Sequence, residues 1–274
     1  MNTFSAEVKK ELSEINNLAN KNLVKAELMG YLSTNSSNSF STKNQYNINR
    51  YSKLLNNIGE DNFNISIKGN NFQIKTKNEV KIEQQINTDE EKKALIRGAF
   101  LGGGTITNPE NIYHLEIYFN EQDYCELMKN ILEEKDIRTK TLKSDKKYIL
   151  YIKDGENISK FLAFIGANKS VLKFEDTRVV KEIRNRVNRI VNCETANLNK
   201  TISSAVKQID SIKLIKSKKR FKDLSEKEQE LAELRLKNPD ASLVELGKML
   251  NPPLSKSGVN HRMNSILKIA EKLK

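Results

Sequence analysis

The sequence predicts an α+β fold in two parts, a duplicated αββαββ unit followed by an all-α helix-turn-helix domain. Two observations predict the duplication. Helical and alternating segments recur in one order, and Gly30 is matched by Gly98 and Tyr46 by Tyr113, at offsets of 68 and 67 residues. A third observation predicts the all-α end: after residue 174 the alternating segments stop, and capped helical stretches close the chain. The boundaries read as a first, shortened repeat over 1–86, a second repeat over 87–174, a basic helical connector over 175–222 and a helix-turn-helix domain over 223–274.

In the first repeat, Phe4, Val8, Leu12 and Ile15 fall on one face of a helix over 4–18, and a second helix runs from about Leu23 to Thr34. SSNSFSTKNQ reads as a polar loop, YNIN as a strand and YSKLLNNI as a short helix. NFNISIKGNNFQIKTK alternates at period two around Gly-Asn-Asn, the pattern of a hairpin. The second repeat opens with Thr88 and Glu91 as a capping box for a helix through KKALIRGAFL, ended by Gly102, Gly103 and Gly104. YHLEIYF then places Tyr113, Leu115, Ile117 and Phe119 on one side of a strand. Glu121 to Lys135 is an amphipathic helix on Tyr124, Met128 and Ile131; IRTKTLKSDKKYILYIK is a hairpin and DGENISKFLAFIGA a helix.

In the connector, Val179, Val180, Ile183, Val187, Ile190 and Val191 form one apolar stripe, and Leu198, Ile202, Ala205, Val206 and Ile209 form another. Two helices joined near Asn192–Thr195 fit this pattern, with Arg178, Arg184, Arg186 and Arg189 on the first. Beyond it, Ser225 with Glu228 and Ser242 with Glu245 are capping boxes for two helices separated by the break NPDAS. Ser255 or Ser257 caps a third helix, whose core stripe is Val259, Met263, Ile266, Leu267, Ala270 and Leu273. Two capped helices, a tight break and a longer third helix are the parts of a helix-turn-helix.

The polar side of that third helix carries Ser255, Lys256, Ser257, Asn260, His261, Arg262 and Asn264. These side chains bond phosphates and base edges, and a helix N-terminus itself favours an anion. A solvated helix face in a Glu-rich chain would carry acids, yet none occurs between Ser255 and Ala270. Gly258 removes bulk where a backbone could approach a phosphate. The formal charge of +12 is unevenly spread: residues 175–222 hold 13 basic and 5 acidic side chains, and residues 223–274 hold 9 and 8. A positive segment beside a base-reading motif has the electrostatics of a phosphate-binding arm, in which Arg184, Arg186 and Arg189 would touch DNA.

Three stretches carry a family resemblance. RGAFLGGGTITNPENIYHLEI, NRVNRIVNCETANLNKT and LSKSGVNHRMNSI together resemble the WhiA family, bacterial regulators of Gram-positive organisms linked to cell division and sporulation. The similarity extends over nearly the whole chain and is weakest in the N-terminal third. It implies a degenerate LAGLIDADG homing-endonuclease-like domain joined to a helix-turn-helix similar to the promoter-reading part of sigma factors. It also implies a part in cell division and chromosome segregation, through transcriptional or nucleoid-level regulation. In active LAGLIDADG nucleases, each signature helix ends in an acid that holds divalent metal at the scissile phosphate. Here the corresponding positions are Asn35 and Gly103, and neither is a carboxylate. A hard cation needs charged oxygen ligands, so no metal, no cofactor and no catalytic residue is expected.

Other chemistry finds little support. His114 and His261 are the only histidines; His114 reads as a surface or satisfied residue on a strand. Gly102–Gly104 lack the Gly-Lys-Ser/Thr of a P-loop. Cys125 and Cys193 have no metal-ligand spacing and read as reduced thiols. Neither a membrane-length apolar run nor a signal-peptide core is present, so the expected location is cytoplasmic and nucleoid-associated. Double-stranded DNA is the expected partner, with RNA polymerase or another transcription regulator as a second, and the oligomeric state is open. Two alternatives stand beside this reading: a protein-interaction module docking on the transcription or division machinery with weak DNA binding, and an endonuclease using Glu27 or Asp89.

Overall fold

The computed structural model describes residues 3–145 and 147–273. The chain divides into two compact units, one ending at Ile183 and the other starting at Arg184.

The first unit opens with α1 (Phe4–Ser13) and α2 (Lys21–Thr34), then β1 (Ser39–Thr42), α3 (Gln45–Asn57) and the hairpin β2 (Phe63–Lys68) and β3 (Asn71–Thr76). The second half repeats the theme with α4 (Asp89–Gly103), β4 (Gly104–Ile106), β5 (Leu115–Phe119), α5 (Gln122–Glu133), β6 (Lys140–Ser144), β7 (Lys147–Ile152) and α6 (Gly155–Ile165). All pairings are antiparallel. The first sheet has the order β1-β3-β2 and the second β4-β5-β7-β6. β1 lies against β3 as β5 lies against β7, so among the described residues the first copy has no counterpart to β4. Alternation puts Leu115, Ile117 and Phe119 into the core, as their period-two spacing demands.

Two details of the first repeat depart from the sequence reading. YNIN is not a strand but the first turn of α3, and Asn44 caps it by accepting from the amides of Tyr46 and Asn47. Ile48, Tyr51, Leu54 and Leu55 are buried at helical spacing, and that longer period overrides a four-residue alternation. Tyr46 is therefore helical, whereas Tyr113 precedes β5, and the two are not equivalent. The segment read as a polar loop supplies β1 instead, because Phe40 is buried opposite Ile74 of β3.

α2 and α4 form the axis of this unit and touch through Gly30 and Gly98. Beside that contact lies a buried ionic cluster. The Glu27 carboxylate accepts from Arg50 Nε at 2.8 Å and Nη2 at 2.9 Å, from Arg97 Nη1 at 3.3 Å and from Asn17 Nδ2 at 3.0 Å. Burial pulls the Arg97 guanidinium below its usual range despite Glu27. Burial pulls Arg50 down too, but its bond to Glu27 outweighs this and raises it.

α7 (Asn168–Ser217) is one helix of fifty residues, not two joined near Asn192–Thr195. The reason is compositional: neither Gly nor Pro occurs between Asn168 and Ser217, so nothing breaks the hydrogen-bond ladder. Its first amides are held by Glu11, whose carboxylate accepts from Lys169 N at 2.7 Å and Ser170 N at 2.9 Å. The expected apolar stripes on α7 are present but largely unpacked, with Val187, Val191 and Leu198 each half exposed or more.

Candidate nucleic-acid interface

The second unit contains the C-terminal part of α7 with α8 (Glu226–Lys237), α9 (Leu243–Met249) and α10 (Lys256–Glu271). Its core combines Leu231 and Ala232 of α8, Leu246 of α9, and Val259, Met263, Ile266 and Ala270 of α10. Ile212 and Ile215 of α7 complete it, so the packed unit reaches back beyond residue 223. Both predicted capping boxes form: Ser225 with Glu228, and Ser242 with Glu245. Burial pushes the Glu228 carboxyl up, but bonds from Ser265 and Ser225 and the nearby Arg262 charge outweigh it and hold it low.

Two residues that the sequence reading passed over set the helix-turn-helix geometry. Arg235 is almost fully buried at the end of α8, and its Nη1 donates to the carbonyls of Asn238, Pro239 and Ala241 at 3.4, 3.3 and 2.6 Å. One guanidinium thus satisfies the orphan acceptors of the α8–α9 turn. A cation in the last turn before an Asn-Pro break is the signal that could have identified it. Gly247 is the second. A β-carbon there would sit 2.2 Å from the Leu254 carbonyl oxygen, where the chain entering α10 crosses α9. The Leu254 amide donates to Gly247 O at 2.9 Å across the same crossing. Gly258 has no such constraint, since its nearest neighbour would be Leu254 Cδ2 at 3.5 Å.

Ser255, not Ser257, caps α10, accepting from Gly258 N at 3.3 Å, while Ser257 Oγ lies 2.9 Å from Ser255 Oγ. Ser255, Lys256, Ser257, Asn260, His261 and Asn264 are exposed. Lys256, Asn260 and Asn264 follow at helical i, i+4 spacing and share a face. Arg262 is half buried and donates to the Lys227 carbonyl at 3.3 Å, so part of its fork is tied to α8. The arginines of α7 divide by role. Arg178 pairs with Glu175 at 3.2 Å and Glu182 at 3.6 Å. Arg184, Arg186 and Arg189 are exposed and form no ion pair among the described residues.

Asn35 and Gly103, the positions that the sequence resemblance sets where nuclease acids would stand, are spent on packing. Asn35 ends α2, and its Nδ2 donates to Tyr31 O at 3.1 Å and Thr34 Oγ1 at 2.9 Å. At Gly103 a β-carbon would meet Thr34 Cβ at 2.7 Å and the Tyr118 carbonyl oxygen at 2.8 Å, leaving no room for a carboxylate. Glu27 and Asp89, the alternative acids, do not converge there. Glu27 is sealed between two arginines, and Asp89 opens α4, fourteen residues before Gly103, paired with Lys135 at 2.6 Å. That separation along the helix is about 21 Å. His114 precedes β5 rather than lying on it, and bonds Glu116 at 3.0 Å. Cys125 is buried and Cys193 exposed; burial pushes the Cys125 thiol up to about 11.

Comparison with known proteins matches the N-terminal and C-terminal parts of the chain to one family. A family model described as the WhiA C-terminal HTH domain matches residues 187–270, and another described as the WhiA LAGLIDADG-like domain matches residues 92–184. The chain is 51% identical over 189 residues to a probable cell division protein WhiA of Clostridium botulinum, covering 69% of this chain and 60% of that protein. It is 50% identical over 195 residues to the Clostridium beijerinckii protein of the same description, covering 71% and 62%. The matched stretch thus spans about 60% of the length of these relatives. Among solved structures, full-length WhiA from Thermatoga maritima superposes with a TM-score of 0.61 at 29% identity, over 98% of both chains. The N-terminal LAGLIDADG domain of WhiA superposes with a TM-score of 0.55 at 25% identity, over 61% of this chain and 91% of that one. The α+β architecture is accordingly a LAGLIDADG-like domain followed by a helix-turn-helix.

Proposed function

The chain belongs to the WhiA family, and from that premise we propose that it is a double-stranded DNA-binding regulator of cell division and chromosome segregation. It acts in the cytoplasm at the nucleoid. The domain plan of this reading is a first repeat over 1–86, a second over 87–174, a basic connector over 175–222 and a base-reading part over 223–274. Lys256, Ser257, Asn260, His261 and Asn264 read DNA from α10, with Ser255 and the N-terminal amides of that helix on a phosphate. Arg262 contributes from the rim of that face, since part of its fork is held by Lys227. Arg184, Arg186 and Arg189 supply sequence-independent phosphate contacts. The LAGLIDADG-like domain serves as a scaffold without hydrolysis, because Gly103 has no space for a metal-binding acid.

The observation that carries this reading is the exposed face of α10, rich in hydrogen-bonding side chains and free of acid from Ser255 to Ala270. A good base contact contributes about 1–3 kcal/mol of discrimination. The test is selection of binding sites from a random duplex pool by the full chain, repeated with Asn260→Ala/His261→Ala. The parent enriches a motif, and the double variant loses the enrichment while keeping its affinity for random DNA. Recovery of the same motif by both proteins would mean that another element reads the bases.

A further inference from the structure

We propose that β2 is a pairing edge for a second copy of this chain, strand against strand and antiparallel about a two-fold axis through Ile65. The edge lies wholly in the first unit and shares no residue with the set assigned to DNA. A sheet edge is a template for a further strand unless something blunts it. Three of the four edges are blunted: β4 and β1 are three and four residues long, and β6 carries Lys140 and Lys143. β2 runs for six residues with its one charge, Lys68, at the very end. Among the described residues it pairs with β3 alone. Ile65 and Ile67 are 50% and 68% exposed, although they stand opposite Ile74 and Phe72 on the face that Ile74 buries in the core.

The backbone sets which residues can bond a new strand. Lys77 N donates to Asn62 O at 3.2 Å, and Thr76 N donates to Asn38 O, on the β1 side, at 3.1 Å. Bonding alternates along an antiparallel pair, so the even-numbered residues of β2 turn their amides and carbonyls to β3. Phe63, Ile65 and Ile67 turn theirs outward. Phe63 N is held by Asp61 O at 3.1 Å, which leaves the Phe63 carbonyl and both groups of Ile65 and Ile67 for a partner.

Only one register uses all of them. Parallel pairing about a two-fold axis would lay the apolar face of one copy beside the polar face of the other, so the strands must run antiparallel. Outward groups must meet outward groups, which puts the axis on a residue and not between two. Centred on Asn64, the pairing sets Ile67 against Asp61. Centred on Ser66, it sets Phe63 against Gly69 of the turn. Centred on Ile65, it sets Ile65 against itself and Phe63 against Ile67 twice. Four backbone bonds then form, two between the Ile65 pair and one from each Ile67 amide to the other copy's Phe63 carbonyl. Charge agrees with this register: Glu60 and Asp61 precede β2 and Lys68 ends it, so each acidic end meets a basic end. Apolar residues, free backbone groups and charges thus share one two-fold axis, a symmetry that an unrelated strand would not require.

Six residues of strand span about 20 Å, and at a sheet thickness of about 10 Å the contact covers on the order of 200 Å² per copy. A standard stable interface buries about 800 Å² per partner, so the pair is weak and concentration-dependent.

The test combines sedimentation velocity of the full chain over a wide micromolar series with cross-linking by single cysteines. The parent shows a reversible rise towards the dimer. Ile65→Lys sets two ammonium groups together at the axis and weakens association by at least about tenfold. For cross-linking, the exposed Cys193 is first removed as Cys193→Ser. In that background Ile65→Cys stands about 5.5 Å from its own copy, Cα to Cα, and diamide oxidation links the two chains. Ile67→Cys lies four residues further along the opposed strand, about 14 Å from its copy, and stays unlinked. Cross-linking introduces no charge, so it decides the case if Ile65→Lys lowers the melting temperature. A chain monomeric at every concentration overturns the proposal and leaves the edge to an extended segment of another protein. A dimer indifferent to Ile65→Lys overturns it by placing the contact on another surface, and equal linking at 65 and 67 overturns the register.

Discussion

Gly30 and Gly98 face each other where α2 crosses α4, and neither position has room for a single carbon. A β-carbon on Gly30 would lie 2.1 Å from the Leu95 carbonyl oxygen, and one on Gly98 would lie 1.9 Å from the Glu27 carbonyl oxygen. The obstacle in both cases is backbone, which cannot swing aside as a side-chain tip can. Gly98→Ala should therefore destabilise the first unit by about 3 kcal/mol or more, or prevent folding outright. Gly258→Ala is the control: it has ordinary contact space on α10 and should be neutral or stabilise by up to about 1 kcal/mol. Urea denaturation of both variants measures this. A Gly98→Ala midpoint equal to the parent's contradicts the packing described here.

Glu27 separates the scaffold reading from the nuclease reading in one substitution. Among the described residues its carboxylate is the only acid bonded to buried Arg50 and Arg97. Glu27→Gln keeps the shape and removes the charge, leaving two guanidinium groups without a counter-ion. The expected loss is about 3–5 kcal/mol, the cost of breaking a buried ion pair from one side. Parent and variant should both leave a supercoiled plasmid intact with magnesium or manganese. Nicking by the parent that disappears in Glu27→Gln at unchanged stability would reverse the assignment.

Lys9 gives a pH signature. Its ammonium donates to Leu101 O at 3.2 Å near the end of α4, and burial lowers its pKa from 10.5 to about 8. The folded state therefore gives up this proton at lower pH than the unfolded chain does. Between about 8 and 10.5 the unfolded state binds more protons, so this group's contribution to stability rises with pH across that window. Below pH 8 the lysine is charged in both states, and the burial cost is fully present. Lys9→Met should stabilise the protein by about 1–2 kcal/mol at pH 7, and the gain should shrink as pH approaches 10. Thermal melts of both proteins from pH 6 to 10 test this; a difference independent of pH assigns the effect to packing alone.

Much of this was legible in the residues. The capping boxes at Thr88, Ser225 and Ser242 are local chemistry and appear where their spacing puts them. Gly30 and Gly98 were legible as a repeated pair because the repeat itself preserves their offset. What was hidden depends on tertiary partners. β1 is a polar segment with one buried residue, Phe40, and becomes a strand only because β3 offers it an edge. The apolar stripe of α7 changes face near Asn192–Thr195, a pattern that two helices and one long helix share, and the absence of Gly and Pro is what keeps it single. Arg235 shows in the sequence only as a cation in the last turn before Asn-Pro, and its three carbonyl partners exist only once the α8–α9 turn has formed, while Gly247 is fixed by the Leu254 carbonyl that crosses it from a distant part of the turn into α10.

Arg186 and Arg189 project from the basic stretch of α7 that carries Arg184. Both are exposed on α7 and without ion pairs among the described residues, so their removal should leave the melting temperature unchanged. If they lie on phosphates, each releases counterions on binding, and each contact steepens the log–log salt dependence by about 0.9. Arg186→Gln/Arg189→Gln in the full chain should make that slope shallower by up to about 2 while leaving the selected motif intact. Arg178→Gln is the contrast, since its guanidinium is spent on Glu175 and Glu182: it should alter the slope little. Arg184→Gln, at a position equally exposed and without an ion pair among the described residues, should make the slope shallower by up to about 0.9. An unchanged slope in the double variant, with a lowered melting temperature, would instead place Arg186 and Arg189 in the folding of α7 and move the phosphate contacts elsewhere.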